Sequence, residues 1–314
     1  LGSKSLSGVV TGANNTAVGV SALNANTTGD TNVAVGKSSM ASNTTGTNNT
    51  AVGATSLDAN TTGTNNVAVG DGALGANTTA VNNTAVGVAA LLANTTGTQN
   101  TALGTDAGKN ITTGSYNITV GYKAGSHDVD ITTGQQNTVI GAYADTGASD
   151  AIQVNIIGYN VTGAQGYTTV GVGTDDIRAA HGNITWATVS DERVKKDIEE
   201  ATVGLEFIND LRPVTFNYRN KGDLPKEFKG YEEGSTEVYK NSKTQHGFIA
   251  QEVKAAIDKH SDIKEGFAMW DDDDPTSQQR VGETAVIPVL VKAVQELSAK
   301  VEELENTKCK CNEV

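Results

Sequence analysis

Most side chains able to do chemistry fall within residues 190–314 of this 314-residue chain. That stretch opens with Ser190-Asp191-Glu192-Arg193-Val194-Lys195-Lys196, a hydroxyl five residues before an amine. A serine hydroxyl is a poor nucleophile until a base removes its proton, and lysine serves as that base only when its ammonium is desolvated or crowded by other cations. Arg193 and Lys196 could supply such crowding. The spacing alone neither singles out this serine nor chooses between Lys195 and Lys196. Asp191 and Glu192 suit either orienting such a pair or capping a following helix, and capping is the ordinary role. His246 could assist a proton transfer, but reads first as a structural histidine. The acidic run Asp271 to Asp274 lacks the alternating ligand spacing of a calcium loop and reads as a solvated surface. Cys309 and Cys311, in a polar tail, cannot complete a four-ligand zinc site within one chain. No metal and no cofactor is implied.

The elements that must carry these groups are short. Leu205, Ile208 and Leu211 mark one face of a helix that stops before Pro213. Val214-Thr215-Phe216-Asn217-Tyr218 alternates as a strand, and His246 to Val253 reads as a strand running into a helix through Ile257. A final helix begins near Glu283. Its apolar residues Ile287, Leu290, Val294, Leu297, Val301 and Leu304 recur at steps of 3 and 4, a heptad seam suited to a three-stranded coiled coil or bundle.

Four ordered motifs, Ser190-Asp191-Glu192-Arg193-x-Lys195, Leu211-Arg212-Pro213-Val214-x-Phe216, Gly247-Phe248-Ile249-Ala250-Gln251-Glu252-Val253 and Ile287-Pro288-Val289-Leu290-x-Lys292-Ala293, span residues 190–314. Together they resemble the C-terminal intramolecular chaperone of endosialidase-type phage tail spikes, fibres and neck appendages, a self-cleaving serine peptidase family. The resemblance implies that three copies fold, bring three strands of a fibre into register and then cut themselves off between Val189 and Ser190. It makes Ser190 the nucleophile and Lys195 the base, with Asp191, Arg193 and His246 as candidate assistants. It also implies a virion protein, synthesised in the host cytoplasm.

Residues 1–189 are of another kind. They hold 28 of the 35 glycines and no proline, cysteine, phenylalanine or glutamate, and no aromatic residue occurs before Tyr116. A core of large side chains is not available there. A repeat takes its place: Asn-Thr/Val-Ala-Val-Gly recurs with its glycine at Gly19, Gly36, Gly53, Gly70 and Gly87, then as Asn-Thr-Ala-Leu-Gly at Gly104, always 17 residues apart. Looser copies end at Gly121, Gly141, Gly158 and Gly171, and a second motif, Asn-Thr-Thr-Gly, runs in parallel. Stacked coils of two short β-prone segments, with alanine and valine in columns and a ladder of Asn15, Asn32, Asn49, Asn66, Asn83, Asn100 and Asn117, are expected. Such units resemble the Asn/Gly-rich β-repeats of trimeric autotransporter adhesin heads and phage tail fibres. That resemblance implies a parallel homotrimer whose thin coils share an axis and complete one another's core. The insertions Ser126-His127-Asp128 and Tyr143 to Ala151 are expected as surface loops, the parts that would meet a host receptor or glycan. The Asn-Thr-Thr triplets match a glycosylation sequon but follow from the repeat.

The expected fold is thus a mainly β repeat rod of 17-residue parallel coils, followed by an α+β domain ending in a long heptad helix. The segments are 1–14 as an N-terminal remnant or partial repeat, 15–175 as the shaft, 176–189 as a junction and 190–314 as the chaperone and autoprocessing domain. The chain reads as a fragment of a longer one. Its net charge of −13, with acidic excess in both halves, leaves no basic stripe for nucleic acid. No apolar run approaches the roughly 18 residues of a membrane span. A glycosidase would need a pair of working carboxylates, and residues 1–189 have no glutamate and only scattered aspartates. A trimeric surface adhesin with a non-cleaving terminal domain is the alternative, but the polar ending offers it no anchor.

Overall fold

The computed structural model describes residues 2–8, 11–182, 187–188, 192–226, 228, 230–240, 242–263, 267, 269–271 and 280–311. They form two units, Leu1–Val194 and Lys195–Val314.

The first unit is a parallel β-solenoid. Three-residue strands recur once per coil: β1 (Thr16–Val18), β2 (Val33–Val35), β3 (Thr50–Val52), β4 (Val67–Val69), β5 (Thr84–Val86), β6 (Thr101–Leu103), β7 (Ile118–Val120) and β8 (Thr138–Ile140). With β10 (Asn155–Tyr159) and β12 (Tyr167–Val172) they make ten parallel strands in register, Ala17 opposite Ala34, Ala34 opposite Ala51. At about 4.8 Å per strand the stack is about 45 Å long. The antiparallel strands β13 (Asp175–Ala180) and β14 (Ala187–Thr188) extend the same sheet.

Each coil has one such strand where two β-prone segments are expected. In the strand the alanine points in and the flanking Thr, Val or Leu point out, so Ala17 is buried while Val18 is exposed. The valines therefore do not share the interior with the alanines. Glycine ends the strand because the next coil leaves no room: a Cβ on Gly36, itself at φ +139°, would sit 2.2 Å from the Gly53 carbonyl oxygen. The chain then turns through left-handed corners, among them Leu23, Met40, Leu57, Leu74 and Leu91 at φ 49° to 51°. A leucine in that conformation costs about 1–2 kcal/mol, offset by complete burial of its side chain.

The expected asparagine ladder is present. Asn15 Oδ1 accepts the Asn32 backbone N–H at 2.9 Å, and the pattern repeats coil by coil to Asn137, whose Oδ1 accepts from Val154 N–H at 3.0 Å. A second ladder runs beside the first, sharing its carbonyl acceptors such as Gly46 O: the Asn43, Asn60 and Asn77 amides each donate also to the asparagine one coil before, at 2.8 to 2.9 Å. These are the sequon asparagines, and their complete burial removes them as glycan acceptors. Alanines, this large-residue column and the two ladders close the core within one chain. The interior is therefore not completed by neighbouring chains, as a shared-axis trimer of open coils would require.

The insertions fold back on the solenoid. Asp145, at the start of β9 (Asp145–Thr146), accepts the backbone N–H groups of His127, Asp128 and Val129, and β9 pairs with β11 (Thr162–Gly163). The second insertion is thus partly buried rather than a plain surface loop, with Ala144, Asp145 and Thr146 inside.

The second unit is a small α+β body. Helix α1 (Leu205–Asp210) precedes the antiparallel pair β15 (Val214–Phe216) and β16 (Gln245–Gly247), then come α2 (Ala250–Ile257), the short pair β17 (Trp270–Asp271) and β18 (Arg280–Val281), and α3 (Ile287–Cys311). Phe207, Val253, Ala256, Ile257, Met269, Val286 and Val289 form its core. Only the first turns of α3 contribute: Val289 and Ala293 are buried, whereas the six seam residues from Ile287 to Leu304 are all exposed, by 41% to 63%.

Candidate functional site

Val189, Ser190 and Asp191 lie outside the described residues. Glu192–Val194 form a 3-10 turn, and Lys195 begins the second unit. Arg193 and Lys195 are exposed, and each has an interaction partner. Lys196 Nζ lies 4.0 Å from the exposed Asp197 carboxylate, the weak, solvent-screened kind of pair. His246 stands on the exposed side of β16, opposite Thr215 of β15.

The motifs downstream of the serine are physically joined. Arg212, just after α1, meets Glu252 of α2 in a two-point ion pair, with Nε donating to Oε2 at 2.9 Å and Nη2 donating to Oε1. Each partner stabilises the other's charge, so the guanidinium titrates above its usual range and the carboxyl below. The proline after Arg212 ends α1 and sends the chain into β15. Because β15 pairs with β16, which leads into α2, the strand pairing brings the two motifs side by side.

A second polar cluster has no signal in the motifs. Asp210 accepts from Lys259 Nζ at 3.0 Å and lies 3.1 Å from His260 Nε2, contacts that hold its carboxyl below the usual range. Glu296 of α3 accepts the Leu205 backbone N–H at 2.9 Å, fastening the start of α1 to the terminal helix. Lys259, His260 and Glu296 border a hollow of about 290 Å³, lined also by Thr202, Glu206 and Asp262. The partners lie 49, 50 and 91 residues apart, so no local pattern announces them. Among the described residues no group of three or more His, Cys, Asp or Glu is placed to hold a metal ion. Asp272–Asp274 lie outside the described residues. Among the described residues no helix is long and apolar enough to cross a membrane.

Compared with known proteins, residues 190–262 match the family model Peptidase_S74, described as chaperone of endosialidase. The match begins at Ser190 itself and takes in the first three motifs, while the motif on α3 lies beyond it. No curated protein and no solved structure matches the chain. A self-cleaving peptidase family is thereby indicated, and its position behind stacked β-coils fits a phage tail fibre that carries a chaperone domain. Residues 190–262 thus match a chaperone-of-endosialidase domain, preceded in this chain by a β-solenoid.

Proposed function

We propose that this chain belongs to a homotrimeric phage tail fibre or appendage, whose chaperone domain sets three chains in register and then releases itself by cutting between Val189 and Ser190. The observation that carries this reading is the family match that opens at Ser190, directly behind the solenoid. Two surfaces support the trimer. The α3 seam is exposed along its length, although the same helix buries Val289 and Ala293 in its own unit. On the solenoid, a column of outward aliphatic residues at the carboxyl ends of the strands, including Val18, Val52, Leu103, Ile140 and Ile157, is also exposed. Its period of one coil matches a second copy of the same stack.

In the cut, Ser190 Oγ attacks the carbonyl carbon of Val189 as its proton passes to Lys195 Nζ. The C–N bond then breaks, the freed Ser190 amine takes the proton back, and the Val189 acyl group rests on Oγ as an ester. Water hydrolyses that ester, leaving a carboxylate on Val189 and a free hydroxyl on Ser190. Lys195 acts as a base only in its neutral form. Convergence of three chains, with Arg193 and Lys196 nearby, would supply the crowding. Cleavage would then report completed assembly.

Denaturing electrophoresis with intact-mass measurement tests this. Wild type is expected to give two fragments divided at Ser190, and Ser190→Ala and Lys195→Ala one intact chain each, a loss of cleavage of at least a hundredfold. Continued cleavage in Ser190→Ala would remove the mechanism. An uncut but trimeric wild type would reduce the domain to a passive trimerisation clamp.

A further inference from the structure

We propose that an open groove on the last coils of the solenoid binds a neutral saccharide, with the Tyr116 ring as its stacking platform and the Gln136 and Gln153 amides as its hydrogen-bonding groups. The groove has a volume of about 590 Å³ and is lined by Tyr116, Gln136, Gln153, Asn155 and His181. That size is in the range of small-molecule sites, about 300–1,000 Å³.

Three of these residues occupy one corner of the repeat. Tyr116, Gln136 and Gln153 sit at φ 61°, 59° and 58°, the left-handed position that Asn48, Asn65 and Asn82 hold in earlier coils. Their side chains therefore project in a column, one coil apart. The column bonds across coils at one earlier step, where the Asn65 amide donates to Asn82 Oδ1 at 3.2 Å. In the last coils it does not: among the described residues, neither the Gln136 amide, the Gln153 amide nor the Tyr116 hydroxyl has a hydrogen-bond partner. Tyr116 is 53% exposed. Across the groove, His181 Nε2 lies 3.3 Å from both Asn155 Nδ2 and Thr168 Oγ1, which fixes the imidazole at the edge where β13 closes the stack.

The chemistry of this lining selects its ligand. Two free amides offer both donors and acceptors on planar groups, matching hydroxyls that donate and accept at once. An exposed phenol ring offers an apolar face with a polar tip, suited to the C–H face of a pyranose. The five lining residues include no Asp, Glu, Lys or Arg, so the groups offered to a ligand are mainly neutral amides and a phenol. The groove borders the amino ends of the strands, whereas the exposed aliphatic column proposed to meet other chains follows their carboxyl ends. The identity of the ligand as a host surface glycan rests on the fibre reading above; the binding itself does not.

The test uses the full chain carrying Ser190→Ala, applied to a printed array of neutral and acidic bacterial surface oligosaccharides. Retention of neutral oligosaccharides is expected. Tyr116→Asn, Gln136→Asn and Gln153→Asn restore the ordinary corner residue and so spare the fold; each should lower the affinity at least tenfold. Gln99→Asn, at the same corner outside the groove, should leave it unchanged. Absence of any neutral ligand, retention of acidic ligands only, or retention indifferent to Tyr116→Asn would overturn the assignment. Failure of cleavage in the wild type would sink the autoproteolysis reading and leave this one standing.

Discussion

Asp145 is a buried carboxylate in a unit otherwise closed by alanine, leucine and asparagine. Burial pushes its carboxyl up to about 6, against the three backbone N–H groups and His127, which pull it down. The folded chain therefore holds this proton more tightly than the unfolded one, where the group titrates near 4. Its contribution to stability is full below about pH 4 and is lost as pH rises through about 6, a change on the order of 2–3 kcal/mol. Asp145→Asn should gain on the wild type in melting temperature between pH 4 and pH 7; a constant difference across that range would show the carboxylate to be satisfied as it stands. Nothing in the sequence distinguishes Asp145 from Asp150, since its setting depends on the fold-back of an insertion. The proposed pair Ser190 and Lys195 is the opposite case, singled out only by an ordered set of motifs. Arg212 and Glu252 stand in separate motifs, and the β15–β16 pairing is what makes them partners.

Within the coil, the inner ladder of Asn26, Asn43, Asn60, Asn77 and Asn94 is a chain of buried amides with a defined end. Asn60 donates to Asn43 and to the Gly63 carbonyl and accepts from Asn77. Asn94 donates in the same way, but its Oδ1 has no partner among the described residues, because the corresponding residues of the next coils are Ile111 and Ile131. Asn60→Leu should therefore cost more than Asn94→Leu, by about 1–3 kcal/mol, as read by chemical denaturation. Equal costs would mean that the ladder contributes through shape alone. The outer ladder from Asn15 to Asn117 was legible from its spacing, since identical polar residues at a fixed interval must stack. The inner one was hidden inside Asn-Thr-Thr, which reads equally well as a turn or a sequon. The column of large side chains from Leu23 to Leu91 was hidden too, because a left-handed corner turns a side chain inward without any period of 2 or 3.6.

At the scale of the molecule, α3 separates two roles that a helical wheel cannot. Leu290→Asp and Leu297→Asp alter exposed residues, so they should abolish the trimer in light scattering while the far-ultraviolet circular dichroism of the chain is retained. Val289→Asp, one position from Leu290 but buried, should unfold the second unit instead, at a cost of about 3 kcal/mol or more. Trimers that persist in both seam variants would remove α3 as the assembly element. The outward column of the solenoid repeats every 17 residues across most of its length, so two chains could pack one coil out of step with nearly the same contacts; a non-repetitive terminal domain is suited to break that degeneracy. The sequence by itself determined the coil length and the change of character near residue 190, because a fixed interval of glycine, alanine and asparagine has one way to stack and a change of composition ends it. Only the tertiary structure decided which residues face inward, that one chain closes its own core, and that the heptad seam is left uncovered. Those outcomes depend on left-handed corners and on contacts between residues up to 91 positions apart, whose geometry exists only once the chain has folded.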